Sequence, residues 1–180
     1  YDIYRFVGTT EIDYKSKGTK LEEPLNIKFS VSHTFEPGTG NTEYGACHQV
    51  MSYGMGDPED VASVYNKAGL TYLRDDLNKN VFERDGDNWI VKQSCIDGWR
   101  TLKEQGVKVI GILFGGDESG MPTNEEQLVK WEKWLTDTVT QCKDVIDVFE
   151  VWNEPNITAF NKGGATPEHY AETLKRSYTI

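Results

Sequence analysis

The alternation of strand-like and helix-like segments after residue 41 constrains the fold of this chain more than any other feature. A pattern of strand, loop and helix occurs four times between residue 42 and the end of the sequence. We expect strands at about residues 44–50, 70–74, 107–114 and 145–152, and helices at about 58–68, 94–105, 124–142 and 167–180. Such alternation is typical of a parallel sheet covered by helices. The sequence therefore predicts an α/β domain.

Two of the predicted helices carry clear signals at their starts. Asp57 is a good N-cap and Pro58 suits the first helical position, and Thr166 with Pro167 repeats this arrangement. Gly69 marks the end of the first helix. The inward face of this helix is expected to consist of Val61, Val64, Tyr65 and Ala68.

The connection from residue 75 to residue 93 separates the second strand from its helix and is unusually long. Within it, Asp85 and Gly86 predict a turn, and residues 89–91 predict a short strand. Connections that follow the carboxyl ends of parallel strands commonly build ligand sites. We expect such a site here, with Phe114-Gly115-Gly116-Asp117 after the third strand as one of its walls.

Residues 1–41 have a different pattern from the rest of the chain. Apolar and polar residues alternate from Leu25 to Ser32, which predicts a strand with one solvent-exposed face. The segment from Glu36 to Asn41 is rich in turn-forming residues and is interpreted as a linker. The predicted organisation is a β-rich appendage over residues 1–41 and an α/β domain over residues 42–180.

Composition and charge exclude several classes of protein. A formal net charge of −10 argues against a nucleic acid partner, because phosphate binding needs a basic face. No apolar segment approaches the ~20 residues that a membrane-spanning helix needs. The sequence begins at Tyr1 without Met or a signal-like segment, so we expect it to be trimmed from a longer protein.

Cysteine and histidine residues form no pattern that indicates a metal site. The cysteines are odd in number and are interpreted as small buried hydrophobic residues, with one disulfide in a secreted protein as the alternative: Cys47, Cys95 and Cys142. The histidines are scattered along the chain: His33, His48 and His169. The sequence therefore predicts neither a metal ion nor a cofactor.

The run of residues 148–156 combines an apolar strand with a terminal amide, carboxylate and proline. Its sequence is Val-Phe-Glu-Val-Trp-Asn-Glu-Pro-Asn, so Glu154 follows directly after Trp152 and Asn153. A carboxyl group placed at the end of a buried strand is suited to donate a proton to a bound sugar. The alternative roles are a loop or N-cap carboxylate for Glu154 and a turn-stabilising amide for Asn153.

Residues 149–156 resemble the signature of the clan A glycoside hydrolases, most closely family 39, the β-xylosidase and α-L-iduronidase group. The resemblance implies a (β/α)8 TIM barrel and a retaining mechanism. It implies that Glu154 is the general acid/base and that Asn153 binds the sugar 2-hydroxyl. A complete barrel needs about 250 residues, so we expect only its N-terminal half here, about four βα units, with the nucleophile beyond residue 180.

Three further residues are candidates for sugar binding. The resemblance implies that Arg74 lies beneath the nucleophile, whereas a salt bridge to Asp75 or Asp76 is the alternative. His48 near the end of the first strand is either a polar sugar contact or a hydrogen-bonded interior histidine. Trp152 is either a platform for a sugar ring or a core residue.

The expected function follows from these residues and from the resemblance. The full-length protein is expected to hydrolyse glycosidic bonds of a carbohydrate substrate, to be secreted or extracellular, and to need no cofactor. The chain of 180 residues is expected to be inactive alone and to self-associate through the open edges of the half-barrel. The alternative is a catalytically inactive carbohydrate-binding or scaffold protein with the same fold.

Overall fold

A computed structural model of the chain describes residues 43–115 and 120–180 and the backbone of four short strands that precede them. Its backbone divides into two units, Tyr1–Thr34 and Phe35–Ile180. The predicted boundary between residues 41 and 42, and the predicted linker before it, lie outside the described residues.

The described part of the first unit consists of strands. These are β1 (Arg5–Val7), β2 (Ile12–Tyr14), β3 (Thr19–Leu21) and β4 (Asn26–Lys28). Strand β1 pairs with β4, and β2 pairs with β3, both in the antiparallel direction. Strand β4 is the described part of the strand predicted between Leu25 and Ser32.

The second unit is built on a four-stranded parallel sheet. Its strands are β5 (Gly45–Cys47), β6 (Tyr72–Leu77), β9 (Lys108–Leu113) and β10 (Val148–Val151). Their order across the sheet, β10-β9-β6-β5, follows their order in the chain without reversal. A parallel sheet that grows in one direction is the arrangement of a barrel, whereas a doubly wound sheet reverses its strand order.

A helix follows each of these strands, as the sequence predicted. The helices are α1 (Val50–Tyr53), α2 (Pro58–Ala68), α3 (Gln93–Glu104), α4 (Glu125–Cys142) and α5 (Pro167–Tyr178). The predicted turn after β6 belongs to a hairpin of β7 (Phe82–Asp85) and β8 (Asn88–Val91), which a short 3₁₀ turn (Lys79–Val81) precedes.

The helix starts confirm the capping signals in the sequence. The Asp57 carboxylate accepts a hydrogen bond from the backbone N–H of Glu59 at 2.9 Å. Thr166 forms a capping box with His169, whose ring nitrogen Nδ1 accepts from the Thr166 backbone N–H at 3.0 Å. These contacts satisfy backbone donors that a helix start leaves without a partner.

Three predicted strand boundaries are wrong by three residues. The fourth strand was expected to start at Val145 but starts at Val148. The first strand was expected to reach Val50, but Val50 begins α1. The second strand was expected to end at Arg74, but it continues to Leu77 because Asp76 and Leu77 pair in register with Ile112 and Leu113 of β9. Asp is disfavoured in strands, so the sequence pattern stopped short of a segment that tertiary pairing keeps extended.

The alternation along β6 assigns the two faces of the sheet. Leu73, Asp75 and Leu77 are fully buried, and the Asp75 carboxylate contacts Trp99 of α3. This face therefore lies beneath the helices. Tyr72, Arg74 and Asp76 project from the opposite face, because successive side chains in a strand alternate. The second face corresponds to the interior of a barrel.

Some predicted core positions are exposed. In α2, Val61 and Tyr65 are buried as expected, whereas Val64 and Ala68 lie on the solvent side. The buried face of this short helix therefore contains fewer residues than predicted, and it consists of Val61, Ala62 and Tyr65. Among the cysteines, Cys95 and Cys142 are buried but Cys47 is exposed, and all three are free thiols.

Candidate active site

The connections after the four central strands converge on one cleft. Its volume is about 230 Å³. Parallel strands place their carboxyl ends at the same edge of the sheet, which is where α/β enzymes bind their ligands. The cleft is lined by Tyr53, Asp76, Asn78, Phe114, Gly115, Gly120, Trp152, Ala159, Phe160 and Lys162. Of the predicted pocket wall, Phe114 and Gly115 are therefore part of this cleft, whereas Gly116 and Asp117 lie outside the described residues.

Arg74 and Glu150 form an ion pair on the inner face of the sheet. The Arg74 Nε donates a hydrogen bond to Glu150 Oε2 at 2.7 Å, and its Nη2 donates to Oε1 at 2.6 Å. A bidentate pair of this kind restricts both side chains to one geometry. Donation of these hydrogen bonds to Glu150 raises the pKa of Arg74, so the guanidinium stays charged. The structure thus pairs Arg74 with Glu150 instead of Asp75 or Asp76.

Asn153 and Glu154 continue this polar network beyond the end of β10. The Arg74 Nη2 also donates to Asn153 Oδ1 at 2.9 Å. This contact fixes the orientation of the amide, whose Nδ2 donates to Glu154 Oε2 at 3.2 Å. Four predicted or adjacent polar groups are therefore joined in one series: Glu150, Arg74, Asn153 and Glu154.

The backbone around Asn153 adopts an unusual conformation. Trp152 has φ 66° and Glu154 has φ 45°, and within residues 43–115 and 120–180 no other non-glycine residue has a positive φ. A side chain with a Cβ is strained in this region by roughly 1–3 kcal/mol. Such strain persists where the surrounding structure holds it, and it concentrates at functional sites. Here the backbone conformation directs the Glu154 carboxyl to an exposed position.

Trp152 belongs to the core and also borders the cleft. Its side chain is only 4% exposed, and its indole Nε1 donates to the carbonyl of Phe160 at 2.9 Å. The ring packs near Trp131 and Phe114, with centroid distances of 5.7 and 6.3 Å. Of the two roles considered for Trp152, the structure places it mainly in the core. Its remaining surface contributes to the cleft wall.

The backbone N–H of His48 donates to the carbonyl of Arg74 at 3.0 Å, but the His48 ring has other partners. Its Nε2 forms a 2.7 Å hydrogen bond with the carbonyl of Met55, and its ring stacks on Tyr65 of α2 with a centroid distance of 6.1 Å. These contacts hold the imidazole beside a helix instead of within the cleft. A sugar contact by His48 stays a prediction that this geometry does not support.

Asp75 organises the wall behind the cleft and was not predicted to do so. Its buried carboxylate accepts hydrogen bonds from Ser52 Oγ at 2.7 Å, from the Met51 N–H at 2.9 Å and from Trp99 Nε1 at 3.0 Å. These donors stabilise the charge that burial would otherwise penalise. They also connect β6 to α1 and α3, which positions Tyr53 at the cleft.

Asp76 projects from the opposite face of β6 and lines the cleft. Burial raises the pKa of its carboxyl, with a smaller contribution from the neighbouring charge of Asp75. In the sequence, Asp75 and Asp76 are equally suited to cap a loop or to contact a substrate. The structure places Asp76 in an extended strand, which excludes the loop cap, and the polar run Arg74-Asp75-Asp76 has no alternation that signals this strand.

A larger cleft of about 460 Å³ lies between the β7–β8 hairpin and α4. Its lining includes Arg84, Trp89, Trp131 and Trp134, and it shares Gly115 and Gly120 with the smaller cleft. Arg84 covers one face of the Trp89 ring, with the guanidinium carbon 4.2 Å from the ring centroid. Neither Glu154, Asn153, Arg74 nor His48 borders it, so size alone does not select the candidate site.

Residues 43–115 and 120–180 contain neither a cluster of metal ligands nor a membrane-spanning helix. No group of three or more His, Cys, Asp or Glu side chains in this part of the chain is arranged to hold a metal ion. Of the helices within it, none is long and apolar enough to cross a membrane.

Comparison with family models and with curated proteins finds no match. Solved structures do match. The family 39 glycoside hydrolase of Bacteroides cellulosilyticus WH2 superposes with a TM-score of 0.67 at 17% identity, over 99% of this chain and 36% of that one. A monomeric β-xylosidase of Caulobacter crescentus CB15 gives a TM-score of 0.56 at 16% identity, over 81% of this chain and 34% of that one. The fold is half of a (β/α)8 barrel.

The likeness extends across glycoside hydrolase families. The GH5_18 protein of Bifidobacterium longum subsp. longum matches with a TM-score of 0.50 at 10% identity, over 75% of this chain and 40% of that one. Identities this low show the fold alone. The chain spans about a third of the length of the first two solved structures. The predicted α/β half-barrel is confirmed, and its neighbours are glycoside hydrolases.

Proposed function

We propose that the complete protein is a retaining glycoside hydrolase and that this chain supplies its general acid/base, Glu154. In such enzymes one carboxyl group protonates the leaving oxygen, and a second carboxylate attacks the anomeric carbon from roughly 5 to 5.5 Å away. We place the second carboxylate beyond residue 180, in the half of the barrel that this chain does not contain. The chain of 180 residues is accordingly inactive alone.

The series of hydrogen bonds from Glu150 to Glu154 is the observation that carries this proposal. A carboxyl group at the carboxyl end of a barrel strand is where this fold places catalytic residues. Asn153 lies beside it with its amide oriented by Arg74 at 2.9 Å. An amide held in this way donates to a sugar hydroxyl without further loss of side-chain freedom.

The proposal assigns separate roles to the other groups. Asn153 binds the hydroxyl next to the anomeric carbon, and Arg74 orients Asn153 while remaining paired with Glu150. Glu150 is unsuited to proton transfer because both of its oxygens accept from a guanidinium. Trp152 supports the apolar wall of the cleft. No step in this mechanism requires a metal ion or a cofactor.

The test is the kinetics of the complete protein with aryl glycosides of different leaving groups. We expect Glu154→Ala to slow release of a phenol, a poor leaving group, by about 10²–10⁴-fold, because the departing oxygen loses its proton donor. Release of dinitrophenol should change little in the glycosylation step, since this leaving group departs without a proton. Glu104→Gln, at an exposed glutamate at the end of α3, is the matched control.

Equal rates of phenol release by the wild type and the Glu154→Ala variant would remove Glu154 from this role. The panel of glycosides should contain β-xylosides, because a β-xylosidase is among the matching structures. Glucosides, mannosides and uronides complete it, since the loops that select the sugar follow all eight strands of a barrel.

A catalytically inactive carbohydrate-binding protein is the second candidate, and it is supported by the same cleft. The two candidates differ in turnover. Binding of a glycoside without release of its aglycone by the complete protein would favour the binding protein. Release of the aglycone would exclude it.

We also propose that the isolated chain self-associates and that the complete protein acts outside the cell. The outer strands of the sheet are β5 and β10, and Val148 on β10 is 45% exposed. An open strand edge beside exposed apolar surface favours association. Sedimentation of the chain should show oligomers, and a monomer would contradict this. Secretion suits a polymeric substrate, and fractionation of expressing cells would test it.

A further inference from the structure

We propose that Asp76 is a substrate-binding residue that accepts hydrogen bonds from two hydroxyl groups of a neutral sugar in the cleft at the strand ends. This inference rests on the proposed function and adds a residue and a substrate class to it. Four features carry it, namely the face of the sheet from which Asp76 projects, its unpaired carboxylate, the aromatic side chains around it and the distribution of charge.

Asp76 occupies the same register level as Glu150. Both residues pair with Ile112, from opposite sides of β9, and both belong to the inner face of the sheet. Asp76 lies two residues after Arg74 on the same face of β6, and of Arg74, Glu150 and Asp76 it is Asp76 that lines the cleft. A ligand in the cleft would have Asp76 on one side and the end of β10 on the other.

The carboxylate of Asp76 has no hydrogen-bond donor among the residues of the described ranges. The contrast with Asp75, which accepts from Ser52, Met51 and Trp99, is direct because the two are adjacent in the chain. Partial burial raises the pKa of the Asp76 carboxyl, so hydrogen-bond donors from a ligand would stabilise its charged form. Two hydroxyl groups of a sugar would provide the missing donors.

The surroundings of Asp76 suit a sugar ring. Phe114, Trp152 and Phe160 line the same cleft, and Phe114 stacks near Phe160 with a centroid distance of 6.1 Å. Aromatic side chains cover the apolar C–H faces of a sugar, while a few polar groups select its hydroxyls. The cleft has a volume of about 230 Å³, which leaves room for a sugar ring.

The charge in the cleft favours a neutral sugar over a uronic acid. Arg74 forms its ion pair with Glu150, whereas the part-buried Asp76 has no ion-pair partner within residues 43–115 and 120–180. Lys162 also lines the cleft, but its side chain is exposed, and water weakens its field. A second carboxylate beside Asp76 would be repelled.

The experiment measures ligand binding by the complete protein in a Glu154→Gln background, so that catalysis does not consume the ligand. The probes are aryl β-xyloside, aryl β-glucoside and aryl β-glucuronide, titrated calorimetrically at about pH 7. We expect Asp76→Asn to weaken binding of the bound neutral glycoside by about tenfold or more, because an amide is a weaker acceptor than a carboxylate. Asp144→Asn, at an exposed aspartate remote from the cleft, is the control.

Two further readouts separate binding from a structural role. Burial raises the pKa of Asp76, so its ionised form is unfavourable in the folded protein, and Asp76→Asn should not lower the melting temperature at about pH 7. In otherwise unmodified enzyme, the variant should raise KM more than it lowers kcat. In the wild type, KM should rise as the pH falls through the pKa of Asp76. This rise should be absent in the Asp76→Asn variant.

Unchanged affinity in the Asp76→Asn variant would overturn the inference while leaving Glu154 untouched. Tighter binding of the glucuronide than of both neutral glycosides would also overturn it. Absence of binding to every glycoside, with no turnover by the unmodified protein, would instead reject the proposed function on which the inference rests.

Discussion

Arg74 and Glu150 join strand β6 to strand β10 across β9 by two hydrogen bonds of 2.7 and 2.6 Å. The pair spans three strands of the sheet and holds Asn153 through a third hydrogen bond of 2.9 Å. It therefore couples the integrity of the half-barrel to the geometry of the candidate acid. A change at Glu150 should consequently affect activity more than stability.

Substitution Glu150→Gln in the complete protein should lower kcat/KM by about tenfold or more, since Arg74 would no longer be fixed and Asn153 would lose its orientation. Stability should fall by only about 1 kcal/mol, because both side chains are partly exposed. Enzyme assays and urea unfolding measure the two effects. Lys103→Met, which removes the ion pair with Asp147 at 3.2 Å, is the matched control. A loss of activity no larger for Glu150→Gln than for Lys103→Met would contradict the coupling.

The left-handed backbone conformation of Glu154 predicts that glycine destabilises the fold less than alanine at this position. Glycine adopts φ 45° without strain, whereas alanine does not. Glu154→Gly should therefore be more stable than Glu154→Ala by about 1 kcal/mol, although both lose the carboxyl group. Thermal or urea unfolding of the two variants tests this. Greater stability of the alanine variant would mean that the backbone of Glu154 is unstrained.

Two buried tryptophans should respond differently to the loss of their indole N–H. Trp99 Nε1 donates to the buried Asp75 carboxylate, whereas Trp134 Nε1 has no partner in the residues that the structure describes. Trp99→Phe should cost roughly 1.5–3 kcal/mol more than Trp134→Phe, since it alone removes a hydrogen bond to a charged group. Urea unfolding of the pair measures the difference. Equal losses would show that Asp75 does not depend on Trp99.

Stability should decrease at alkaline pH. Burial raises the pKa of Tyr65 from 10.0 to about 12 and raises that of Cys142 from 9.0 to about 12. Both groups release protons more readily in the unfolded chain than in the folded one. Their contribution to the free energy of unfolding is therefore complete below about pH 9 and is lost as the pH rises toward about 12. Urea midpoints between these values measure the loss, and Tyr65→Phe should reduce it. A midpoint independent of pH would contradict these environments.

The organisation of the α/β domain was predictable because its determinants are local. Asp57 and Thr166 signal helix starts through hydrogen bonds within one turn, and the structure contains both caps. The apolar strand that precedes Asn153 and Glu154 is likewise visible in the sequence. Hydrophobic periodicity and helix capping depend on residues only a few positions apart, so both can be read from the sequence.

The tertiary structure decided which of the candidate residues meet. Asp75 and Asp76 are adjacent and chemically identical, yet β6 directs one to the helices and the other to the cleft. Arg74 reaches Glu150, 76 positions away, because β9 separates their strands by a fixed distance. The sequence by itself determined the strands, the helices and the carboxyl group at residue 154. Pairing in register between distant strands determined its partners, and that pairing depends on contacts that no local pattern encodes.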